Sequence, residues 1–318
     1  MDRPLSQEIL AGNRRAAARL MRLVDDGSTA ARDTLGELFE HTGDAFILGV
    51  TGNPGSGKST LVNQLIDRYR AQGKTVGCIA VDPTSPFSGG AILGDRVRMQ
   101  QHAGDDGVFI RSVATRGHMG GLSRSTPAMV QVLDAMGFDV IIVETVGVGQ
   151  DEVEIVRLAD TSLVVLVPGL GDDIQADKAG LMEIADIFVI NKSDLDGATR
   201  LKREINTMLA LHRQAHLDEE EAPRRPAIVT TTATTGDGVD ELVDAIATHR
   251  DEVAVDGALR DRRRSAHLVR AIARTEIEFL FEQLATTDRF SKLIDEVVQG
   301  STDPYAAAAE LTNWLGTN

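Results

Sequence analysis

In the stretch "GVTGNPGSGKST", Gly52 is followed by four residues and then by Gly57, Lys58 and Ser59. Glycines at this spacing let the backbone turn its amide N–H groups toward a phosphate. The lysine adds a mobile positive charge, and the hydroxyl offers a hard oxygen to a divalent cation. The apolar run "AFILGV" precedes this stretch and the amphipathic "LVNQLIDRYR" follows it. A strand therefore delivers the loop and a helix N-terminus backs it, the context in which a P-loop works. Gly55, Ser56, Gly57, Lys58, Ser59 and Thr60 become candidate nucleotide-binding residues. Lys58 would reach the β- and γ-phosphates, and Ser59 would ligate Mg2+.

A second stretch, "NKSD" at 191–194, follows the apolar "IFVIN" and bears on the base. The Asp194 carboxylate can accept from the N1–H and 2-amino groups of guanine. Adenine offers no 2-amino group and an acceptor at N1, so a site built on these bonds leaves the carboxylate unpaired against it. GTP and GDP are the expected ligands. Asn191 would brace the loop, the Lys192 stem would cover the base, and the backbone at Thr232 and Ala233 in "TTATTGDG" could meet guanine O6.

Carboxylates at strand ends supply the remaining chemistry. Asp82 ends "TVGCIAV" and opens the Pro-, Gly- and Ser-rich "DPTSPFSGGAILGD", a loop of the kind that a ligand orders. It would orient the attacking water or a magnesium-bound one. Asp95, at the far end of that loop, either approaches the metal or caps the helix that starts at "RVRMQQH". Glu144 ends "DVIIVE" and occupies a Walker-B-like position against Mg2+. Lys58, Asp82 and Glu144 are the catalytic candidates; Ser59, Asp82, Asp95 and Glu144 are the metal candidates. Gly147 would give an amide to the γ-phosphate. Gln150 could position water, but its place three residues beyond Gly147 assigns it to partner coupling.

These residues need a scaffold. Seven β-rich apolar runs, "AFILGV", "TVGCIAV", "VFIRSV", "DVIIVE", "SLVVLV", "IFVIN" and "AIVTTT", are mostly separated by helix-length segments. The pattern predicts an α/β fold with a doubly wound, mostly parallel sheet. Apolar residues at helical spacing over 6–40 predict an N-terminal helical extension (residues 1–42), broken by "DDGST". The G domain is expected over 43–252 and a helical C-terminal arm over 253–318, where Asp303 and Pro304 suit the start of a last helix. Leu268, Ile272, Thr275 and Phe279 form a stripe that either packs on the chain's own G domain or meets a second copy.

Bulk composition narrows the setting. A net charge of −15 argues against a nonspecific grip on nucleic acid or an anionic membrane. Cys78 is the only cysteine, which removes intrachain disulfides and thiolate-rich zinc sites. No run approaches the roughly 18 apolar residues that cross a bilayer, and the N-terminus lacks the apolar core of a signal peptide. A cytoplasmic protein is expected.

With those motifs in place, the chain resembles the methylmalonyl-CoA mutase-associated GTPases of the MeaB and MMAA type. The resemblance rests on "GVTGNPGSGKSTL", "VDPTSPFSGGAILGDRVRM", "ATRGHMGGLS", "VETVGVGQDE", "VPGLGDDIQADKAG" and "VINKSD", and it extends over nearly the whole chain. It implies a homodimer formed through the C-terminal arm. It also implies a chaperone role toward an adenosylcobalamin-dependent acyl-CoA mutase, methylmalonyl-CoA mutase above all, with GTP hydrolysis gating cofactor delivery from a cobalamin adenosyltransferase and protecting the mutase. "GLGDDIQADKAG" then resembles a further switch in which Asp172 and Lys178 couple nucleotide state to the mutase; without the family, Lys178 reads as part of a solvated face. Asn53, Ser56 and Asp177 depart modestly from the usual pattern.

Three other readings share the core. A nickel-inserting metallochaperone GTPase needs a Cys or His relay, yet Cys78 lies within a strand run and His212 and His216 sit in polar "LHRQAHLDEEE". A P-loop kinase for a small metabolite would make "NKSD" a coincidence. A nucleotide-sensing scaffold would hydrolyse GTP too slowly to matter. No arginine finger is obvious, although Arg111 and Arg116 flank "SVAT", so slow hydrolysis stimulated by a partner is expected.

Overall fold

A computed structural model describes residues 3–28, 30–82, 102, 104–114, 125–145, 158–169, 184–215, 224–254 and 257–315. Asp95, Gly147, Gln150, Asp172, Lys178, Arg116 and His216 lie outside them. So do the side chains of Asp82, Thr275 and Phe279. Two compact units emerge, Met1–Arg264 and Ser265–Asn318.

In the first unit seven strands form one sheet: β1 (Phe46–Thr51), β2 (Val76–Asp82), β3 (Val108–Ala114), β4 (Val140–Glu144), β5 (Thr161–Leu166), β6 (Ile187–Ile190) and β7 (Ala227–Thr230). Their order is β3-β2-β4-β1-β5-β6-β7, and every pairing is parallel. Each expected apolar run becomes a strand because the interior of a covered parallel sheet buries both faces. On β1, Leu48 and Val50 face one core while Ile47 faces the other. On β4, Ile142 and Val143 divide in the same way.

Helix α1 (Leu5–Leu10), α2 (Arg14–Asp25) and α3 (Ala30–Phe39) precede the sheet. Asn13 starts α2 by accepting from the amides of Arg15 and Ala16, and Gly27, at φ +68°, turns the chain after it. These helices bury Ile9, Leu20, Met21 and Leu38 against α5 (Thr126–Ala135) and one face of the sheet. On the other face, α4 (Lys58–Ala71) and α7 (Val239–Ala254) bury Leu61, Leu65, Leu242 and Ile246. Helix α6 (Ala198–Ala215) closes a third cluster over β5 and β6 with Leu201, Ile205 and Leu209. All seven strands thus end at one edge, with β1 between β4 and β5, where a chain that winds in both directions opens a crevice.

The second unit holds most of α8 (Gly257–Ala285), then α9 (Asp288–Val298) and α10 (Pro304–Leu315). Leu293, Ala307 and Trp314 make its small core, and the Arg289 guanidinium lies 3.6 Å from the Trp314 ring centroid. Asp303 accepts from the amides of Tyr305 and Ala306, the cap expected from "DP".

Gly52 shows how tightly the nucleotide loop is seated. Its φ is +139°, and a Cβ there would lie 2.1 Å from the Val165 carbonyl oxygen on β5. Gly52→Ala is therefore expected to cost at least about 3 kcal/mol, from backbone conformation and overpacking together. Thermal unfolding checks it: the midpoint falls by several degrees, whereas Gly55→Ala, with nothing within 4 Å of its Cβ position, falls by less.

Candidate functional site

The P-loop leaves β1 at Thr51 and closes at the N-terminus of α4, where Gly57 is the N-cap residue at φ +88°. That conformation is open to glycine, and a Cβ would sit 2.4 Å from Asn191 Nδ2. Lys58 is buried at 6% exposure, and its Nζ donates to the carbonyls of Gly52 at 2.5 Å and Asn53 at 3.1 Å. The ammonium therefore folds back onto the loop itself.

Ser59, in the first turn of α4, meets Glu144 at the end of β4. The Ser59 hydroxyl donates to Glu144 Oε1 at 2.6 Å, and both residues are buried. Glu144 closes β4, in register with Val50 of β1 and Ala80 of β2. A hydroxyl and a carboxylate oxygen at hydrogen-bond distance form a hard-oxygen pair that fits Mg2+, an ion that takes few protein ligands and keeps waters and phosphate oxygens. Asp82 ends the neighbouring β2.

Beneath that pair lies a tie absent from the sequence reading. Thr145 Oγ1 donates to Thr51 Oγ1 at 2.9 Å, and the Thr145 amide donates to the Val50 carbonyl at 3.0 Å. Both threonines are fully buried, at 0% and 1% exposure.

Asn191, at 2% exposure, joins three loops. Its Nδ2 donates to the Ser56 carbonyl at 2.8 Å, while its Oδ1 accepts from the Ala233 amide at 3.1 Å and from Thr231 Oγ1 at 3.2 Å. Lys192, at φ +54°, reverses the chain immediately after it. The Ser193 amide then donates to the Thr231 carbonyl, its hydroxyl pairs with Thr232 Oγ1 at 3.0 Å, and exposed Asp194 follows. Lys58, Ser59, Glu144, Asn191, Thr232 and Ala233 are thus linked by hydrogen bonds or by adjacency at one edge of the sheet.

Residues 17–287 match the sequence profile described as "Methylmalonyl Co-A mutase-associated GTPase MeaB". The chain belongs to the MeaB family. It is a GTPase of that family, with the P-loop GTPase fold. A Pyrococcus abyssi protein named as a GTPase is 49% identical over 306 residues, covering 96% of this chain and 94% of that protein. The GTPase ArgK of Escherichia coli is 35% identical, covering 96% and 94%. The mouse "Methylmalonic aciduria type A homolog, mitochondrial" is 32% identical over 83% of this chain and 64% of its own length. Among solved structures, "Crystal structure of LAO/AO transport system kinase" superposes with a TM-score of 0.67 at 25% identity, over 98% of this chain and 97% of that one.

Three residues tied into this cluster carry no assignment from sequence: Thr51, Thr145 and Thr231. The readable signal was a threonine at or just past a strand end. Nothing local distinguishes such a residue from an ordinary β-former, because its partner lies 94 residues away for Thr145 and 40 for Thr231.

Proposed function

We propose that this chain is a GTP-hydrolysing chaperone of an adenosylcobalamin-dependent acyl-CoA mutase, methylmalonyl-CoA mutase first, gating cofactor delivery and protecting the mutase. The observation that carries the reading is the match of residues 17–287 to mutase-associated GTPases, because it spans every nucleotide loop and the segments between them. In this reading the cofactor donor is a cobalamin adenosyltransferase and the setting is cytoplasmic. No helix among the described residues is long and apolar enough to cross a membrane.

At the site, Lys58 and the amides of Gly55, Ser56, Gly57 and Thr60 hold the phosphates. Ser59 and Glu144, joined by Asp82 and Asp95, hold Mg2+. When bound, the ion neutralises charge on the β- and γ-phosphates. Asp82 orients the water that attacks the γ-phosphorus, giving GDP and inorganic phosphate, and the Gly147 amide meets the γ-phosphate oxygens. Asp194 accepts from guanine, Lys192 covers the base, and Thr232 and Ala233 face O6. Gln150, Asp172 and Lys178 carry the nucleotide state to the mutase.

We also assign a homodimer to the C-terminal arm. On α8, Val269, Ile272, Ile277, Leu280 and Phe281 are all at least 40% exposed, and these exposed apolar side chains along one helix support that reading. The nickel-relay alternative is not favoured: Cys78 is fully buried within β2.

Purification of the native protein from its own cells tests the assignment. The expected result is an adenosylcobalamin-dependent mutase in the same complex; recovery of a hydrogenase-maturation partner in its place would overturn it.

A further inference from the structure

We propose that the buried Thr51–Thr145 hydroxyl pair is a positioning device that sets the distance between the phosphate-holding and cation-holding halves of the site, so that it governs preference for the triphosphate. The inference rests on nucleotide binding at the P-loop as read above and assigns a role to two residues outside that reading.

The geometry is a closed circuit. Lys58 Nζ donates to the Gly52 carbonyl, Gly52 follows Thr51, and Thr51 Oγ1 accepts from Thr145 Oγ1 at 2.9 Å. Thr145 follows Glu144, whose Oε1 accepts from Ser59 Oγ at 2.6 Å, and Ser59 follows Lys58. Chain neighbours and hydrogen bonds thus alternate around the site and return to their start. The threonine pair is the only side-chain link in this circuit that touches neither phosphate-loop lysine nor metal-side carboxylate.

Two further contacts fix its frame. The Thr145 amide continues the β1–β4 ladder by donating to Val50, and Gly52 runs so close to β5 that a Cβ on it would lie 2.1 Å from the Val165 carbonyl oxygen. The hydroxyl pair reinforces the β1–β4 backbone register with a side-chain bond one residue beyond the Val50–Glu144 pair, where β4 gives way to the site. GDP is held, in the reading above, by contacts made from the P-loop and from the Asn191, Asp194 and Ala233 loops; of these residues Ser59 reaches the β4 end, through Glu144. In that same reading the extra phosphate of GTP would be met from the β4 side, by the Gly147 amide and the cation that Glu144 would hold. Loosening the tie therefore falls more heavily on the triphosphate than on the diphosphate.

The test uses the full chain and valine, which keeps the shape of threonine and removes its hydroxyl. Equilibrium binding of GDP and of a non-hydrolysable GTP analogue is measured for wild type, Thr145→Val, Thr145→Ser, Thr51→Val and Thr51→Val/Thr145→Val, with thermal unfolding alongside. Thr145→Val and Thr51→Val are each expected to lower the ratio of analogue affinity to GDP affinity about tenfold, the value of one well-placed hydrogen bond. Thr145→Ser retains the wild-type ratio. The double variant recovers the thermal midpoint lost by the single ones, because no buried hydroxyl is left unpaired, yet its ratio stays low. A ratio unmoved by Thr145→Val, or restored together with stability in the double variant, would overturn the proposal and leave the pair a packing contact. A wild type that bound neither nucleotide would instead overturn the site reading on which it stands.

Discussion

Replacing Lys58 by alanine is expected to abolish measurable GTP hydrolysis and to weaken GTP binding by at least about 100-fold, since a desolvated charge partner is worth roughly 3–5 kcal/mol. The side chain is 6% exposed and concentrates its ammonium over the Gly52 and Asn53 carbonyls, at the loop where phosphates would lie. Alanine suits the first turn of α4, so the helix should persist. Arginine is no substitute, because its planar fork demands more room than a compact ammonium in this closed loop. Single-turnover hydrolysis and fluorescent-nucleotide binding read the effect, with circular dichroism reporting an unchanged fold. Hydrolysis within about threefold of wild type would remove Lys58 from the chemistry.

Asp194→Asn is expected to exchange the base preference rather than abolish binding. The carboxylate suits two donors on the guanine edge; an amide keeps one acceptor and presents a donor where guanine presents its 2-amino group. GTP affinity should fall about 10³-fold, while xanthosine triphosphate, with a carbonyl at that position, should bind better than to wild type. Asp194 is exposed, and its loop is held from behind by Asn191 and by the Ser193–Thr232 hydroxyl pair, so the fold should tolerate the change. Competition binding with the two triphosphates decides it. An equal loss of both would mean that Asp194 supports the loop rather than reads the base.

Much of this architecture was readable in the sequence because the signals are local. The run "DVIIVE" announces β4 by its length and β-branched content, and "DP" at 303–304 announces the start of α10 by side-chain capping. The P-loop is similarly self-contained, needing only a strand before it and a helix after. What stayed hidden depends on topology. The order β3-β2-β4-β1-β5-β6-β7 places Glu144 beside β1 although β2 and β3 intervene in sequence, and only that order brings Ser59 to it. Asn191 could be assigned to bracing, but its reach to the Ser56 carbonyl, 135 residues away, follows from β6 and β1 ending at the same edge. Gly107 is another example: a Cβ there would strike the Arg70 guanidinium at 2.1 Å, where Arg70 pairs with Asp105 through two hydrogen bonds. No periodicity in either segment foretells that contact.

The proposed function requires nucleotide turnover by this chain to answer to a mutase. Single-turnover GTP hydrolysis, measured with excess purified chain and with or without a saturating adenosylcobalamin-dependent methylmalonyl-CoA mutase, tests it directly. The account predicts slow hydrolysis alone and at least about tenfold acceleration with the mutase, corresponding to about 1.4 kcal/mol of added transition-state stabilisation. Equal rates in the two conditions, with Lys58→Ala inactive in both, would leave a working GTPase whose partner is something else.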